Sequence, residues 1–471
     1  MKADWTPALA EDGRTLHERL IEALRQDIAA GRLASGARMP TQRGLAETLG
    51  IAVGTITKAY AEAERLGLLS SRVGRGTFVA GSAAAESGQD AGADGPIDLS
   101  MNIGALGPAA ARLPEVLARL QRRGDLADAA NFAPHAGWEA HRRAAAGWLR
   151  EHARFVDADW RRLLICNGAQ QGMALALDEV CRPGDKILTS AVTFLGLRSV
   201  ADYRGFGLVG VAMDREGMLP DALDRAAAES GARVLYVQPT LQNPTARTMS
   251  AARRAAVAEV ARRRDLWIVE SDVYGPLAWN AAKSGPEVPI SVLAPERSYY
   301  ASSVSKALAP GLRVGFLMTP DAQRYERACT AMRMACYSIS PLAPMLAAQW
   351  MQDGTAARIL DEMAGEAVAR SALAAQLLGP AMETPSFAAS LHVWLPMSEL
   401  EAERVASRAL RQGVTVTSPA GVAVPGAGMS GVRLCLNSPP DLATLRRALR
   451  VVAGALGDED GARDRPSRSG V

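Results

Sequence analysis

Lysine is scarce in this chain of 471 residues, and long uncharged apolar runs are missing from it. No stretch of eighteen or more apolar residues is free of charge, so the sequence predicts no membrane-spanning helix. The first residues lack the apolar segment of a secretory signal, which predicts a cytoplasmic protein. The five cysteines include no C-x-x-C pair, a spacing that favours reduced thiols over a disulfide framework or a metal site.

Charge is nearly balanced over the whole chain but not along it. The formal net charge is only +3, whereas residues 32–75 carry seven basic and three acidic residues, a local net charge of +4. A local basic surface of this kind is what binding to a phosphate backbone requires. With 48% apolar residues the chain also has ample material for cores, and its length predicts two or three domains.

Composition divides the chain into a small and a large domain. Residues 81–95 contain three acids and no large apolar residue, so we interpret them as a flexible linker. Residues 457–471 are similarly poor in core residues and are predicted to form a disordered tail. We therefore predict one domain in residues 1–80 and a second in residues 96–456.

Helical periodicity followed by a hairpin pattern characterises the small domain. Apolar residues recur at every fourth position from Leu16 to Ile28, which predicts an amphipathic helix. A second, short helix is predicted to start at Pro40-Thr41 and end at Gly50, and a third to follow over residues 53–66. Two short strands are predicted within residues 68–79. Three helices and a β-ribbon form a winged helix-turn-helix, an α+β domain.

Residues 38–60 and the segment Gly74–Val79 resemble the DNA-binding module of the GntR family. The resemblance implies a double-stranded DNA operator as partner, with the third helix in the major groove. Ala52 and Val53 depart from the family pattern, which often has a polar cap and an arginine there, so the operator sequence stays open. Taken singly, the basic side chains also fit solvated surface charges. The implied DNA contacts are Arg43, Thr55, Thr57, Lys58, Arg75 and Gly76.

Apolar strands alternate with helical patterns in the large domain. The predicted strands cover residues 162–166, 185–189, 234–237 and 266–269, and helical patterns over residues 169–180, 197–203 and 251–264 separate them. This alternation predicts an α/β fold with a largely parallel sheet. A ligand is then expected at the carboxyl ends of the strands.

Lys306 is one of five lysines, against 48 arginines, and it lies in the segment Ser302–Arg313. A lysine amine forms a Schiff base with an aldehyde cofactor, and nearby serines and an arginine can hold a phosphate. Residues 167–172, Asn-Gly-Ala-Gln-Gln-Gly, stand between a strand and a helix, where backbone amides can point at phosphate. The two segments together are more specific than either alone.

Polar and aromatic residues after other strands complete a possible cofactor site. Asp272 can keep a pyridine nitrogen protonated, and Tyr274 can reach a phenolic oxygen. Asn243 offers an amide to the same oxygen, and Phe194 can stack on a ring face. In isolation Asp272 and Tyr274 could merely end a strand, and Asn243-Pro244 could simply be a turn.

Together these segments resemble fold-type-I, aspartate-aminotransferase-like enzymes over residues 97–456, a fold with a smaller α+β subdomain. The resemblance implies pyridoxal 5'-phosphate as cofactor and no metal, with Lys306, Asp272 and Tyr274 as catalytic residues. The implied cofactor contacts are Gly168, Ala169, Gln170, Phe194, Asn243, Asp272, Tyr274, Ser303, Ser305, Lys306 and Arg313. The implied substrate contacts are Arg433, which would clamp a carboxylate or else be structural, and Asn102 and Gly104 in a loop over the substrate.

A GntR-type module before an aminotransferase-like domain is the layout of the MocR family, which the chain resembles from end to end. That resemblance implies a homodimer and a regulator that senses an amine or amino acid through aldimine exchange at Lys306. An active aminotransferase carrying a DNA-binding domain is the alternative, and a domain that only dimerises is a third. Gln242 and Ala246, which depart from residues frequent in related chains, leave the ligand open.

Overall fold

The structure is a computed structural model that describes residues 5–9, 15–30, 32–33, 37–66, 68–72, 76–79, 95–103, 107–282 and 287–457. The chain forms two compact units, residues 1–95 and 96–471, which are considered separately. The predicted linker (apart from Gly95) and the predicted tail beyond Gly457 lie outside the described residues. The same is true of two predicted contact residues, Arg75 and Gly104.

In its described residues the first unit has three helices followed by a two-stranded antiparallel sheet, as predicted. Thr41 caps the second helix by accepting a hydrogen bond from the Gly44 amide, and Gly50, with φ of 65°, ends it. The third helix starts at Ala52 without a side-chain cap, as the sequence indicates. The elements are α1 (Leu16–Ala29), α2 (Gln42–Leu49), α3 (Val53–Arg65), β1 (Leu69–Arg72) and β2 (Gly76–Val79).

One apolar cluster joins these helices. Leu24 of α1, Leu45 of α2 and Ile56 of α3 are at most 2% exposed and belong to the same core. Tyr60 is also buried, and its hydroxyl donates a hydrogen bond of 3.0 Å to the carbonyl of Pro40, just before α2. The burial of one stripe on each helix explains why the apolar periodicity predicts these elements.

A seven-stranded sheet forms the centre of the second unit. Its order is β4-β12-β11-β10-β9-β5-β6, and only β12 runs antiparallel to its neighbours. The sheet is therefore largely parallel, as predicted. Its strands are β4 (Leu163–Asn167), β5 (Lys186–Ser190), β6 (Gly207–Val211), β9 (Val234–Val237), β10 (Trp267–Ser271), β11 (Ser298–Ser303) and β12 (Val314–Met318). A separate hairpin pairs β7 (Met213–Asp214) with β8 (Gly217–Met218).

Helices pack on both faces of the sheet, which explains why β9 and β12 are buried along their whole length. The helices between residues 107 and 352 are α4 (Gly107–Arg123), α5 (Glu139–His152), α6 (Gly168–Val180), α7 (Leu195–Arg204), α8 (Pro220–Ser230), α9 (Ala251–Arg263), α10 (Gly275–Ala282), α11 (Ile290–Leu293), α12 (Ala322–Cys336) and α13 (Leu342–Gln352).

A smaller α+β subdomain has its own apolar core. In it β13 (His392–Pro396) pairs antiparallel with β15 (Gly431–Cys435), and β3 (Ile97–Asp98) pairs parallel with β14 (Val414–Thr415). The chain just before Ser100 is thereby attached to the C-terminal subdomain. Its helices are α14 (Thr355–Leu378), α15 (Glu399–Arg411) and α16 (Leu442–Gly457). None of the helices in the described part of the chain combines the length and apolar composition that a membrane crossing needs.

Candidate functional site

A cavity of about 290 Å³ lies beside the carboxyl ends of β4, β9, β10 and β11. This is where a parallel sheet is expected to hold a ligand. Most of the predicted cofactor and substrate residues line it, while Gly168 and Asp272 lie next to lining residues in the chain. The lining residues are Ser100, Met101, Asn102, Ala169, Gln170, Met173, Phe194, Leu195, Gln238, Asn243, Ser271, Val273, Tyr274, Ser303, Ser305, Lys306, Arg313 and Arg433.

Lys306 follows the carboxyl end of β11 and is half-buried. Burial lowers the pKa of its amine to about 8, and the charges of Arg433 and Arg313 act in the same direction. The amine donates a hydrogen bond to the backbone carbonyl of Asn102. A lysine with this pKa has a substantial neutral fraction near neutral pH, which is the form that attacks a carbonyl carbon.

Asp272 directly follows β10, which runs two residues further than the predicted strand. It is 1% exposed, and its Oδ2 accepts a hydrogen bond of 3.1 Å from the Tyr300 hydroxyl. Its Oδ1 is buried and has no hydrogen-bond partner among the described residues. Burial raises the pKa of Asp272, and the nearby Arg254 charge opposes that shift. A buried acceptor without a donor is costly, so this oxygen suits the protonated nitrogen of a bound ring.

A second part of the site is built to hold an anion. Gly168, with φ of 77°, begins the 13-residue helix α6, whose first amides have no partner within the helix. The Arg313 guanidinium packs on Gly168, so closely that a Cβ there would lie 2.3 Å from its Nη2, and it donates to Ser305 Oγ at 3.3 Å. Ser303, whose Oγ accepts from the Ser305 amide, is buried beside them. These groups could hold a phosphate, and we refer to them as the cradle.

Replacing Gly315 by alanine is expected to damage this cradle. Gly315 lies in β12, and an added Cβ would stand 2.3 Å from the backbone carbon of Gly168 and 2.6 Å from the amide nitrogen of Ala169. Backbone cannot yield cheaply, so we expect about 1–3 kcal/mol lower free energy of unfolding and weaker binding of pyridoxal phosphate. Denaturant titration and dialysis binding measure both effects.

Gly172 provides the matched control for that substitution. It lies in α6, and its added Cβ would meet Leu317 Cβ at 3.5 Å, an ordinary contact. Gly172→Ala should therefore leave cofactor binding unchanged. It should not lower the free energy of unfolding either, because alanine is favoured over glycine inside a helix. Equal cofactor binding by the two variants would contradict the close-approach argument.

Arg433 of β15 lines the same cavity, and both terminal nitrogens of its guanidinium donate hydrogen bonds within the protein. Its Nη1 donates to Asn243 Oδ1 at 2.7 Å, and its Nη2 donates to the carbonyl of Ser100 at 2.5 Å and to Thr417 Oγ1 at 2.9 Å. Its Nε has no partner in the described residues although it is buried. Arg433 thus orients Asn243, and a carboxylate would have to compete with the Ser100 carbonyl.

The Asn102 side chain does not lie free over the cavity. Its Nδ2 donates to the Tyr274 hydroxyl at 2.9 Å and is 3.2 Å from Nδ1 of His392. Burial raises the pKa of Tyr274, while the Arg433 charge lowers it. Tyr274 is therefore held by Asn102, and Asn243 by Arg433. Both holding residues were predicted to contact the substrate.

Phe194 and Gln170 form the wall next to the cradle. Phe194 occupies the N-cap position of α7 and is half-buried. Gln170 turns its side chain away from the cradle, since its Nε2 donates to the carbonyl of Gly196 at 3.0 Å. An aromatic ring at the edge of the cavity is available for stacking on a planar ligand.

Several residues near the site are missing from the sequence prediction. His392, Tyr300 and Arg254 are buried beside predicted site residues or bound to them, and Ser100 and Thr417 hold Arg433. None belongs to a recognisable motif, because each reaches the site through tertiary pairing. In the described residues no cluster of three His, Cys, Asp or Glu side chains could hold a metal ion.

The first unit presents a basic cleft between the start of α2 and the wing. The cleft is lined by Arg38–Arg43, Gly76 and Thr77. Arg43 is exposed, and the Arg38 guanidinium packs on Gly76, whose added Cβ would lie 3.2 Å from Arg38 Nε. Arg38 was not among the predicted DNA contacts, although it brings a second guanidinium to this cleft.

The predicted contact residues of α3 differ in how available they are. Thr57 is exposed, but its hydroxyl lies 2.8 Å from Gln42 Oε1 and 3.0 Å from the Val53 carbonyl, so it already has acceptors. Thr55 is half-buried. Lys58 is exposed and lines a groove between α1 and α3 that also contains acidic residues. Within the described residues, Arg43 and Lys58 are the exposed positive side chains of the predicted set, and of the two Arg43 lies in the basic cleft.

Two protein families match the chain, one for each unit. Residues 16–79 match the family described as bacterial regulatory proteins, gntR family. Residues 95–452 match aminotransferase class I and II, which is more than three quarters of the chain. The matches agree with the winged helix-turn-helix and the mixed sheet seen in the structure.

Two relatives are transcription regulators by name. The HTH-type transcriptional regulator YdeF of Bacillus subtilis is 31% identical over 349 residues, which cover 73% of each chain. The vitamin B6 salvage pathway transcriptional repressor PtsJ of Salmonella typhimurium is 30% identical over 316 residues, 66% of this chain and 69% of that one.

Solved structures share the fold of the second unit. The kynurenine aminotransferase of Pyrococcus horikoshii superposes with a TM-score of 0.71 at 20% identity, covering 80% of this chain and 95% of that one. The chain therefore belongs to the aminotransferase class I and II family and, because a GntR-family domain precedes that part, to the MocR-type transcription regulators.

Proposed function

We propose that this protein regulates transcription by binding an operator through its first unit while its second unit binds pyridoxal 5'-phosphate and senses an amine or amino acid at Lys306. The observation that carries the proposal is that a half-buried lysine and an anion cradle line one cavity, while a buried carboxylate oxygen without a donor belongs to Asp272, between the lining residues Ser271 and Val273. A lysine for the Schiff base, a carboxylate for the pyridine nitrogen and a phosphate site are the features that pyridoxal phosphate needs. The same chain contains the helix-turn-helix.

The residues fit this cofactor at each of its polar ends. Asp272 Oδ1 would receive the ring N–H, the cradle at Gly168 and Arg313 would hold the phosphate, and Tyr274 and Asn243 would face the ring oxygen. When bound, the cofactor supplies an aldehyde that can be linked reversibly to a lysine or to another primary amine. Phe194 would cover one ring face.

The chain's own groups would also select the ligand. Lys306 is held by the Asn102 carbonyl, and Arg433 by the Ser100 carbonyl, so both cations contact the same short loop. A ligand amine entering near Lys306 and a carboxylate entering near Arg433 would replace these contacts. A ligand has a regulatory effect only if it binds one arrangement of the protein more tightly than another. A ligand that replaces these loop contacts would meet that condition.

The direct test is operator binding by the whole protein. Footprinting of the upstream region of its own or a neighbouring gene, with and without pyridoxal phosphate and a panel of amines and amino acids, should show sequence-specific protection that at least one ligand changes. Absence of specific protection under all these conditions would reject the regulator.

Arg43→Ala is expected to weaken operator binding about tenfold and to reduce the slope of log affinity against log salt by about 1. The reason is the loss of an exposed guanidinium from the cleft between α2 and the wing. Arg25→Ala is the matched control, because Arg25 is exposed on α1, outside that cleft. Gel-shift titrations at several salt concentrations measure both quantities, and an equal effect of the two substitutions would argue against the cleft.

An active aminotransferase is the second candidate, because Lys306 and Arg433 line one cavity and Asp272 lies between two of its lining residues in the chain. Incubation of the loaded protein with amino acids distinguishes the two. Rapid multiple turnover in the presence of a keto acid would favour the enzyme, whereas ligand-dependent footprinting without turnover would favour the regulator.

A further inference from the structure

His392 is a buried histidine that no part of the proposed function yet uses. It is the first residue of β13, it is 0% exposed, and its ring centroid lies 5.3 Å from that of Tyr274 with an angle of 52° between the rings. Its pairing partner in β15 is Cys435, which lies two positions after Arg433. His392 thus contacts Asn102 and Tyr274, two side chains that line the cavity.

The hydrogen bonds of His392 define its tautomer. Nε2 lies 3.1 Å from the backbone carbonyl of Gln242, which can only accept, so Nε2 carries the hydrogen. Burial, together with the Arg433 charge, lowers the pKa of His392 to about 3, so the ring is neutral. Nδ1 therefore has a lone pair, and it faces the Asn102 amide at 3.2 Å.

The tautomer in turn decides how the Asn102 amide is oriented. A lone pair on Nδ1 requires a donor, so Asn102 presents its nitrogen there, and the second hydrogen of that nitrogen reaches the Tyr274 oxygen at 2.9 Å. The amide oxygen Oδ1 then faces away from both and is buried with no partner among the described residues. Asn102 is one of the residues that line the cavity.

We propose that His392 is a positioning residue of this site: its Nδ1 orients the Asn102 amide, which holds the Tyr274 hydroxyl and presents Oδ1 to an N–H or O–H donor of the ligand. The inference deepens the proposed function and rests on it for the identity of the ligand as an amine. It also adds a specificity element, since a ligand without a donor at that point leaves Oδ1 buried and unsatisfied.

Two substitutions separate this role from simple packing. Asparagine places its oxygen near the position of Nδ1, so His392→Asn keeps an acceptor for Asn102 and loses the donor to Gln242. Glutamine reaches the position of Nε2, so His392→Gln keeps the donor to Gln242 and loses the acceptor for Asn102. A residue that only fills space would make the two variants alike.

The measured quantity is the pH midpoint of the visible absorption change of the protein loaded with pyridoxal phosphate. We expect His392→Gln to shift this midpoint by about one pH unit, the size of one lost hydrogen bond near a charged group, and His392→Asn to leave it nearly unchanged. Equal shifts in the two variants, or no shift in either, would overturn the proposal.

A measurement on the unmodified apo-protein covers the case in which a variant fails to fold. In protein labelled with nitrogen-15 histidine, NMR should show that the His392 ring, identified as the signal that His392→Asn removes, stays neutral and Nε2-protonated from pH 5 to 9. A titrating ring or the Nδ1-protonated form at His392 would overturn the proposal. If instead the wild-type protein shows no visible band with pyridoxal phosphate, the proposed cofactor fails, while the NMR result still decides the role of His392.

Discussion

Lys306→Ala is expected to abolish both the visible absorption band with pyridoxal phosphate and the response of operator binding to amines. Lys306 is the lysine that lines the cavity, and its amine would form the covalent bond to the cofactor. The cradle and Asp272 remain in the variant, so weak non-covalent binding of the cofactor should persist. Spectra after dialysis and gel shifts with amines measure the two losses.

Lys186→Ala is the matched control, because Lys186 is an exposed lysine at the start of β5. Borohydride reduction followed by peptide mapping should place the modified lysine at position 306 in the wild type and in this control. Retention of the band and of the amine response in Lys306→Ala would contradict the proposed function at its central step.

The pKa of Lys306, lowered by burial to about 8, adds a pH dependence to the same experiment. The neutral amine is the reactive form, and its fraction increases about tenfold between pH 7 and pH 9 for a pKa of 8. The rate at which apo-protein takes up the cofactor should therefore rise over that range and level off above it. A rate that stays constant from pH 7 to pH 9 would argue that Lys306 is not the group that reacts.

The fold could be predicted from the sequence because its elements carry strong local patterns. Apolar periodicity marks α1 and α3, and buried apolar runs mark β9 and β10. The pairing of β3 with β14 was not predictable, since two-residue strands have no pattern of their own and their partners are more than 300 residues apart. Such pairings depend on the packing of the subdomain core.

The candidate site divides in the same way. Lys306, Asp272 and the Gly168 turn each follow a strand, so their place at the sheet edge follows from topology. The contact between Asn102 and His392 joins residues 290 positions apart, and no spacing rule relates them. The hydrogen bonds of Arg433 could not be predicted either, because Arg433 donates two of them to a backbone carbonyl and to Thr417.

Asp272→Asn should weaken binding of the cofactor by a factor of roughly one hundred to several thousand, because removing one partner of a buried charge pair costs about 3–5 kcal/mol. The amide keeps the size of the carboxylate and can still accept from the Tyr300 hydroxyl, so the fold should survive. What it loses is the negative charge opposite the ring nitrogen. Equilibrium dialysis of pyridoxal phosphate measures the affinity, and denaturant titration of the apo-protein checks the fold.

Glu270→Gln distinguishes that charge from buried charge in general. Glu270 lies two residues earlier, within β10, and is 0% exposed, and burial raises the pKa of its carboxyl to about 7. Its oxygens are satisfied by the Ile290 amide and by Ser291, so none is left for a ligand. Gln at 270 should change stability and leave cofactor affinity within about threefold. If the two variants lost affinity equally, the loss would come from removing any buried negative charge near the site. Asp272 Oδ1 would then not be the ring partner.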